Sequence, residues 1–464
     1  MLQDQNVISS PTQEENNDEH HQPIIQKPKI NYKIILKLSD DNEFSHGKAL
    51  DDIELDLRSE FELFGGIYQF VKPHKTNHRT NVRTRWFKKT TMEVLSSEFK
   101  MPEQVSKEMI EKGIITLTTQ KPTSVSVLEY KLRSNDQIVT VDWKNEKPVL
   151  YREFIRVLYH DDEFLVIDKP SSIPVHPAGR FVKNSLHYLL ESALGRKLFL
   201  IHRLDKVTSG VLIHTWNAAL AKSYQDTMKE GNVRKCYLAQ VYGEFPETEN
   251  MSGEHVLLNG QSFHKDKEGF IHVKNKMVYK QNDWTFIWRA DSSENGSDST
   301  DPKNTDTAYT LVKRIYYDPA SSRSIVIAIP ITGRTHQIRE HLRVMGYPII
   351  NDVGFELVDK GENWENPWPE KWEIMKRNEQ DETQCAKEMM QMQWERFSKE
   401  EPKDGEFLIH LHAFYYSFHG EKCYEFYTQL PEWCNHIPDN AQFFETVLKN
   451  CQSLDVKSKL GTIL

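Results

Sequence analysis

The sequence predicts an α+β fold built on one large mixed, mostly antiparallel sheet. Two observations carry that reading. Short runs of β-branched, aromatic and aliphatic residues recur from Phe164 to Leu430, whereas helical periodicity is confined to a few segments, and the two kinds follow no regular alternation. The chain, at 464 residues with 38% apolar and 27% charged, can also bury a large core and hold two domains plus extensions.

In chain order, residues 1–30 are polar and acidic, broken by Pro11, Pro23 and Pro28, and read as a disordered tail. Residues 31–85 read as an N-terminal extension carrying a basic patch. Val71–Lys89 holds Lys72, Lys75, Arg79, Arg83, Arg85, Lys88 and Lys89 without an Asp or Glu. Residues 86–150 form a small module: helices over Thr91–Phe99 and Gln104–Lys112, a break at Gly113, a β-rich run Ile114–Thr118, and a closing segment Tyr130–Val139.

Residues 151–450 form the principal domain. Phe164–Ile167 is a compact strand ended by Asp168-Lys169-Pro170, and Ser171–Gly179 is a loop with Pro174 and Pro177. Asn217–Gly231 is a helix with Ala221, Tyr224 and Met228 on one face and Gly231 as its stop. Lys235–Tyr242, Trp284–Trp288, Thr307–Ile315 and Ser324–Pro330 read as strands. Thr335–Gly346 is a helix with Ile338, Leu342 and Met345 on one face, and Phe407–Phe418 and Tyr424–Leu430 close the domain. Two insertions interrupt it: a Ser/Asp/Asn/Gly-rich loop within 291–306, and segment 356–406 with Trp364, Trp368, Trp372 and Trp394 in helix-forming surroundings. The tryptophans are expected to dock the second insertion on the core. Residues 451–464 read as a C-terminal tail.

Composition narrows the function classes. Nothing approaches eighteen consecutive apolar residues, so no membrane span is expected. Asp4, Glu14, Glu15, Asp18 and Glu19 argue against both a signal peptide and an acid-poor transit peptide. Five scattered cysteines fit free thiols in a reducing compartment. These features favour the cytoplasm, then the nucleus, over mitochondria. The net charge of −9 is concentrated in the tail, in Asp291–Asp306 and in Asp359–Glu406, which leaves the Val71–Lys89 patch available to phosphates. Phosphate-binding, dinucleotide and zinc-protease motifs are missing, so no cofactor is expected. His410 and His412 alternate on a strand without a third ligand nearby, and read as structural rather than metal-binding.

The most informative stretch is His202-Arg203-Leu204-Asp205-Lys206-Val207-Thr208-Ser209-Gly210, set between Leu198–Ile201 and Val211–Ile213. It puts a carboxylate beside a core, which is costly unless the group is paired or hydrogen-bonded. An isolated Asp here would be a turn residue. This nonapeptide instead resembles the active-site motif of the RluA family of pseudouridine synthases. Three further stretches do so in the same order: Asp168–Pro177, in which Ser172 replaces the family's glycine; Lys235–Gly243; and Pro330–Arg339. Together they span roughly residues 154–433.

The resemblance implies isomerisation of uridine in RNA to pseudouridine, with a C–N bond broken and a C–C bond made. Asp205 would be the nucleophile, attacking either the sugar C1′ or the uracil ring. Arg334 would supply the fixed cation that keeps it ionised, and Tyr237 would stack on the base and help a proton leave. His202 and Arg203 would fill the place of the extruded base or hold a neighbouring phosphate. Arg339 and Arg343, on the helix after Thr335, would hold RNA backbone. Lys72, Lys75, Arg83, Arg85 and Lys88, with Trp86 and Phe87, would extend the RNA grip.

Residues 86–150 resemble an S4-like RNA-binding module. Arg85-Trp86, Pro170–Arg180, Pro348–Asp352 and Leu430–Trp433 are similar to the eukaryotic branch acting at position 32 of the tRNA anticodon loop. Action on ribosomal or messenger RNA, or RNA binding without catalysis, are the alternatives. A monomer with RNA as its partner is expected.

Overall fold

The computed structural model describes residues 33–38, 53–119, 124–282, 285–291, 305–352, 368–400, 404–419 and 423–453. The expected acidic tail 1–30, the loop Ser292–Asn304, Trp364 and residues 454–464 lie outside them.

A large sheet dominates the principal domain. From one edge its strands run His255–Leu258, Gln261–Lys265, Ile271–Asn282, Thr305–Asp318, Arg323–Pro330, Val233–Tyr242, Leu411–Phe418, Ser209–Thr215, Phe164–Lys169, Phe154–His160, Lys33–Leu38 and Ile53–Asp56. Along this path the pairing is antiparallel except between Lys33–Leu38 and Phe154–His160 and between Ser209–Thr215 and Leu411–Phe418. The α+β expectation of a mixed, mostly antiparallel sheet therefore holds. No helix among the described residues is long and apolar enough to cross a membrane.

Central strands are apolar on both faces because both faces are covered. Phe164, Leu165, Val166 and Ile167 are all fully buried. On Val233–Tyr242 the two-residue period separates the faces: Tyr237, Ala239 and Val241 join the main core, while Cys236 and Leu238 join a second core on the other side. Tyr237 stands opposite Ala328 and Ala413 on its two neighbours, small residues that leave its ring space.

The parallel junction at Ser209–Thr215 demands a glycine. Gly210 pairs with Ala413 at a φ of +112°, and a Cβ there would lie 2.2 Å from the Ala413 carbonyl oxygen. Ser172, standing where the family's motif has glycine, keeps a positive φ of 78°. Its buried hydroxyl compensates by accepting the Leu150 N–H at 2.7 Å.

The N-terminal boundaries differ from the sequence reading. Lys33–Leu38 and Ile53–Asp56 are the last two strands at one side of the large sheet, not a separate extension. The basic strand His74–Asn81 pairs with Gln137–Lys144, which also pairs Ile115–Thr118, so a break at 85/86 would cut one small sheet in two. The helices Thr91–Phe99 and Glu103–Glu111 belong with this sheet, sharing the core of Val94, Leu95, Met109, Ile115 and Ile138. A capping box between Thr90 and Glu93 starts the first helix.

The second insertion does not dock where it was expected. Its helices, Trp368–Arg377 and Glu382–Glu400, pack on the N-terminal module instead of the large sheet. Trp372 is buried beside the module's helices and donates its indole N–H to Glu108 Oε2 at 2.7 Å, and Trp394 sits 5.6 Å from the Phe64 ring. At the C-terminus, Asn440–Ser453 is a helix whose Phe443, Val447 and Cys451 cover the second face of the large sheet, so the tail begins later than residue 451.

Candidate active site

The loop Ile201–Thr208 crosses the rim of the sheet between the short strand Phe199–Leu200 and Ser209–Thr215. Leu204 and Val207 bury inward, which leaves the half-buried Asp205 facing an open cleft of about 470 Å³. The Asp205 carbonyl accepts the Thr208 N–H at 3.2 Å. Beneath the loop lies the buried Lys169. Its ammonium donates to the carbonyls of Pro170, Lys206 and Thr208 at 2.7, 3.2 and 2.8 Å. Burial pulls Lys169 down to about 7, against the opposing pull of Asp205 and Asp168.

Two groups from the segment around the helix Gln337–Val344 reach Asp205. Arg339 Nη1 lies 3.6 Å and His336 Nε2 3.7 Å from Asp205 Oδ2. Arg339 is buried and holds Asp352 through two 2.7 Å hydrogen bonds, an orientation that a planar guanidinium enforces. Burial works against its charge, but the Asp352 bonds and the nearby Asp205 outweigh it and raise its pKa. His336 is lowered, because burial outweighs the pull of Asp205. The fixed positive charge beside Asp205 is therefore Arg339.

The structure thus puts Arg339 where sequence reasoning placed Arg334. Arg334 is exposed and lines the cleft mouth. The physical reason is local: Thr332–Thr335 stays in the loop, whereas the first helical turn, pinned by Gln337, turns inward. Gln337 accepts from the Arg334 N–H and donates to the Tyr309 carbonyl at 3.0 and 2.8 Å.

Tyr237 lines the cleft with its hydroxyl 2.6 Å from that of Tyr416. Burial raises both phenols. His202 is mostly buried: it stacks on Tyr416 at 4.4 Å, accepts the Ile213 N–H at 3.3 Å, and is lowered by burial to about 3. It lines the cleft from this position and orders the loop as a neutral ring. Arg203 is exposed in the cleft, 3.2 Å from His176. Arg343 is exposed but paired with Glu340 at 2.7 Å, outside the cleft lining.

The N-terminal basic residues lie on the small module, except Lys72, which follows the strand Tyr68–Val71 of a separate small sheet. Several are bound within the chain: Lys72 to the Arg58 carbonyl, Lys75 to Glu382 and Arg85 to Glu98. Arg83 and Arg85 flank the buried Trp86 ring at 5.6 Å, and Lys88 is exposed. His412 bridges Ser209 and Thr428, and His410 bonds Gln240 while stacking on Trp433.

The half-buried Asp205, the buried Arg339 and Tyr237 line one nucleoside-sized cleft. A family model described as RNA pseudouridylate synthase matches residues 163–343, the stretch that holds all of these groups. The chain belongs to that family, in its RluA-type branch. Among its relatives, the mitochondrial tRNA pseudouridine(32) synthase of Saccharomyces cerevisiae is 32% identical over 67% of this chain and 59% of its own. The human pseudouridylate synthase RPUSD2 is 33% identical over 64% and 48%. The tRNA pseudouridine(31) synthase of Saccharomyces cerevisiae is 29% identical over 78% and 94%. The chain spans about half to three fifths of the first two relatives' lengths.

One expectation is overturned by these relatives. The preference for cytoplasm and nucleus over mitochondria meets a yeast relative that is itself named mitochondrial. The acidic first residues, on which that preference rested, carry no weight against it.

Sequence reasoning passed over three groups in or around this cleft. Lys169 was read only as a strand end, although a lysine before proline inside an apolar strand signals a buried cation in need of carbonyls. Asp352 was noted in its motif without a role, and Tyr416 was read as strand only. Apart from the Pro170 carbonyl beside Lys169, their partners lie 13 to 179 residues away, so no local spacing reveals them.

Proposed function

We propose that this protein is an RNA pseudouridine synthase that acts on tRNA, at position 32 of the anticodon loop. The observation that carries the reaction is Asp205, open to the cleft and held beside Arg339. A uridine extruded from its stack, at a cost of a few kcal/mol, fits the cleft. Asp205 then attacks, at C1′ or at the ring, the N1–C1′ bond breaks, the uracil turns, C5 bonds C1′, and the bond to Asp205 breaks to return the free carboxylate. The proton lost from C5 balances the one gained at N1, so nothing is oxidised or hydrolysed. Arg339 stands as a fixed cation beside the attacking carboxylate, and Tyr237 walls the base. Arg203, Arg334 and the small module's Arg83 and Lys88 are the groups proposed to meet RNA. The S4-like reading of that module stands as part of this proposal.

The tRNA and position 32 readings rest on the motif resemblance and on the names of two relatives, one of which acts at position 31. Those names extend the proposal to mitochondrial tRNA. Pseudouridine mapping in total and mitochondrial RNA, with and without the protein, tests it. Loss of the signal at tRNA position 32 is expected. Loss only at position 31, or only in ribosomal RNA, would overturn the finer assignment.

A further inference from the structure

Besides Arg203, Lys206, Arg334 and Arg339, the cleft wall holds a further cation that the mechanism above does not use. Lys235 precedes Tyr237 by two residues on Val233–Tyr242, and both side chains line the cleft while Cys236, between them, faces the other core. Its ammonium lies against the Thr332–Thr335 loop, where a Cβ on Gly333 would come within 3.7 Å of Nζ. The remaining charges nearby are committed: Asp205 to Arg339 and His336, and Arg339 to Asp352. Among the described residues Lys235 makes no ion pair, and burial alone pulls it down to about 8.

A half-buried ammonium without a counter-ion is costly, and the cost is relieved only when an anion arrives. A uracil ring is neutral, whereas each nucleotide of the substrate brings one negative phosphate, so a phosphodiester gains far more at this position than a base carbonyl. Lys suits this role as a compact point charge with rotatable donors. We infer that Lys235 binds a non-bridging oxygen of the phosphodiester flanking the extruded uridine, and so seats the nucleotide over Asp205. The inference rests on the proposed reaction and names the contact that delivers its substrate.

The test compares wild type, Lys235→Met and Lys235→Arg, measuring RNA affinity, KM and kcat across a KCl series. Lys235→Met is expected to weaken binding and raise KM about tenfold. The slope of log affinity against log salt should shrink by about 0.7, the value of one contact to a single-stranded phosphate. The kcat should stay within about threefold, as expected for binding shared by ground and transition states. Lys235→Arg should recover the slope, which separates lost charge from lost fold. An unchanged slope in Lys235→Met would overturn the inference, as would a collapse of kcat with KM unchanged. If Lys235→Met shows the smaller slope yet wild type makes no pseudouridine, the reaction fails and the phosphate contact stands. Wild type that binds no RNA would overturn both.

Discussion

Arg339 and Lys169 do the electrostatic work at the scale of single residues. Arg339→Met would leave Asp205 and Asp352 as two carboxylates without their shared guanidinium. Breaking one side of a buried ion pair costs about 3–5 kcal/mol, so both a lower melting midpoint and near-complete loss of turnover are expected in calorimetry and a pseudouridine assay. Adding Asp352→Asn should restore part of the stability but not the turnover, because only the structural half of the imbalance is removed. Lys169→Met would strand three carbonyls under the Asp205 loop. At about 1–3 kcal/mol per unsatisfied buried group, the loop should open before the sheet does, which amide exchange at Leu204–Thr208 would show. The sequence made Asp205 and Tyr237 legible because each sits in a contiguous motif. It misassigned the cation, since Arg334 and Arg339 share one motif and only the helix start at Gln337 decides which of them turns inward.

At the scale of elements, Gly210 ties the Asp205 loop to the strand Leu411–Phe418. Gly210→Ala would push a Cβ into the Ala413 backbone at a φ costly for any L side chain. A loss of about 3 kcal/mol or more is expected, read as a lower urea midpoint together with lost turnover. The helices Thr91–Phe99 and Glu103–Glu111 were legible almost to the residue, because capping and period-3.6 patterning are local. Strand order was not. Ser209–Thr215 finds its neighbour about two hundred residues later, and the first two strands join the sheet's far edge, pairings that no local pattern encodes. The tryptophans correctly announced a docked insertion but not its partner. Trp372 meets the N-terminal module, so Trp372→Ala should raise amide exchange in Trp368–Arg377 and Glu103–Glu111 and leave the large sheet protected.

Across the whole molecule, four buried histidines set the response to acid. His202, His214, His341 and His412 are each lowered by burial to about 3. Their ordinary value is about 6.5, so between pH 6.5 and 3 the unfolded chain binds protons that the folded chain refuses. Stability must therefore fall as pH drops through that window. Each ring contributes up to about 1.4 kcal/mol per pH unit once the unfolded form is protonated. A clear fall in the urea midpoint from pH 7.5 to 5.5, before most carboxylates titrate, is expected, and a flat profile would show that these rings are not held neutral.

The sheet, the loop and the helix converge on one carboxylate. Purified wild type and Asp205→Asn, each mixed with a tRNA transcript and assayed for pseudouridine and for RNA affinity, test that convergence most directly. The amide keeps the shape and removes the charge, so pseudouridine formation should vanish while RNA affinity stays within about threefold, as for a group acting only in the transition state. Pseudouridine made at an undiminished rate by Asp205→Asn would contradict the assignment of Asp205 as the nucleophile.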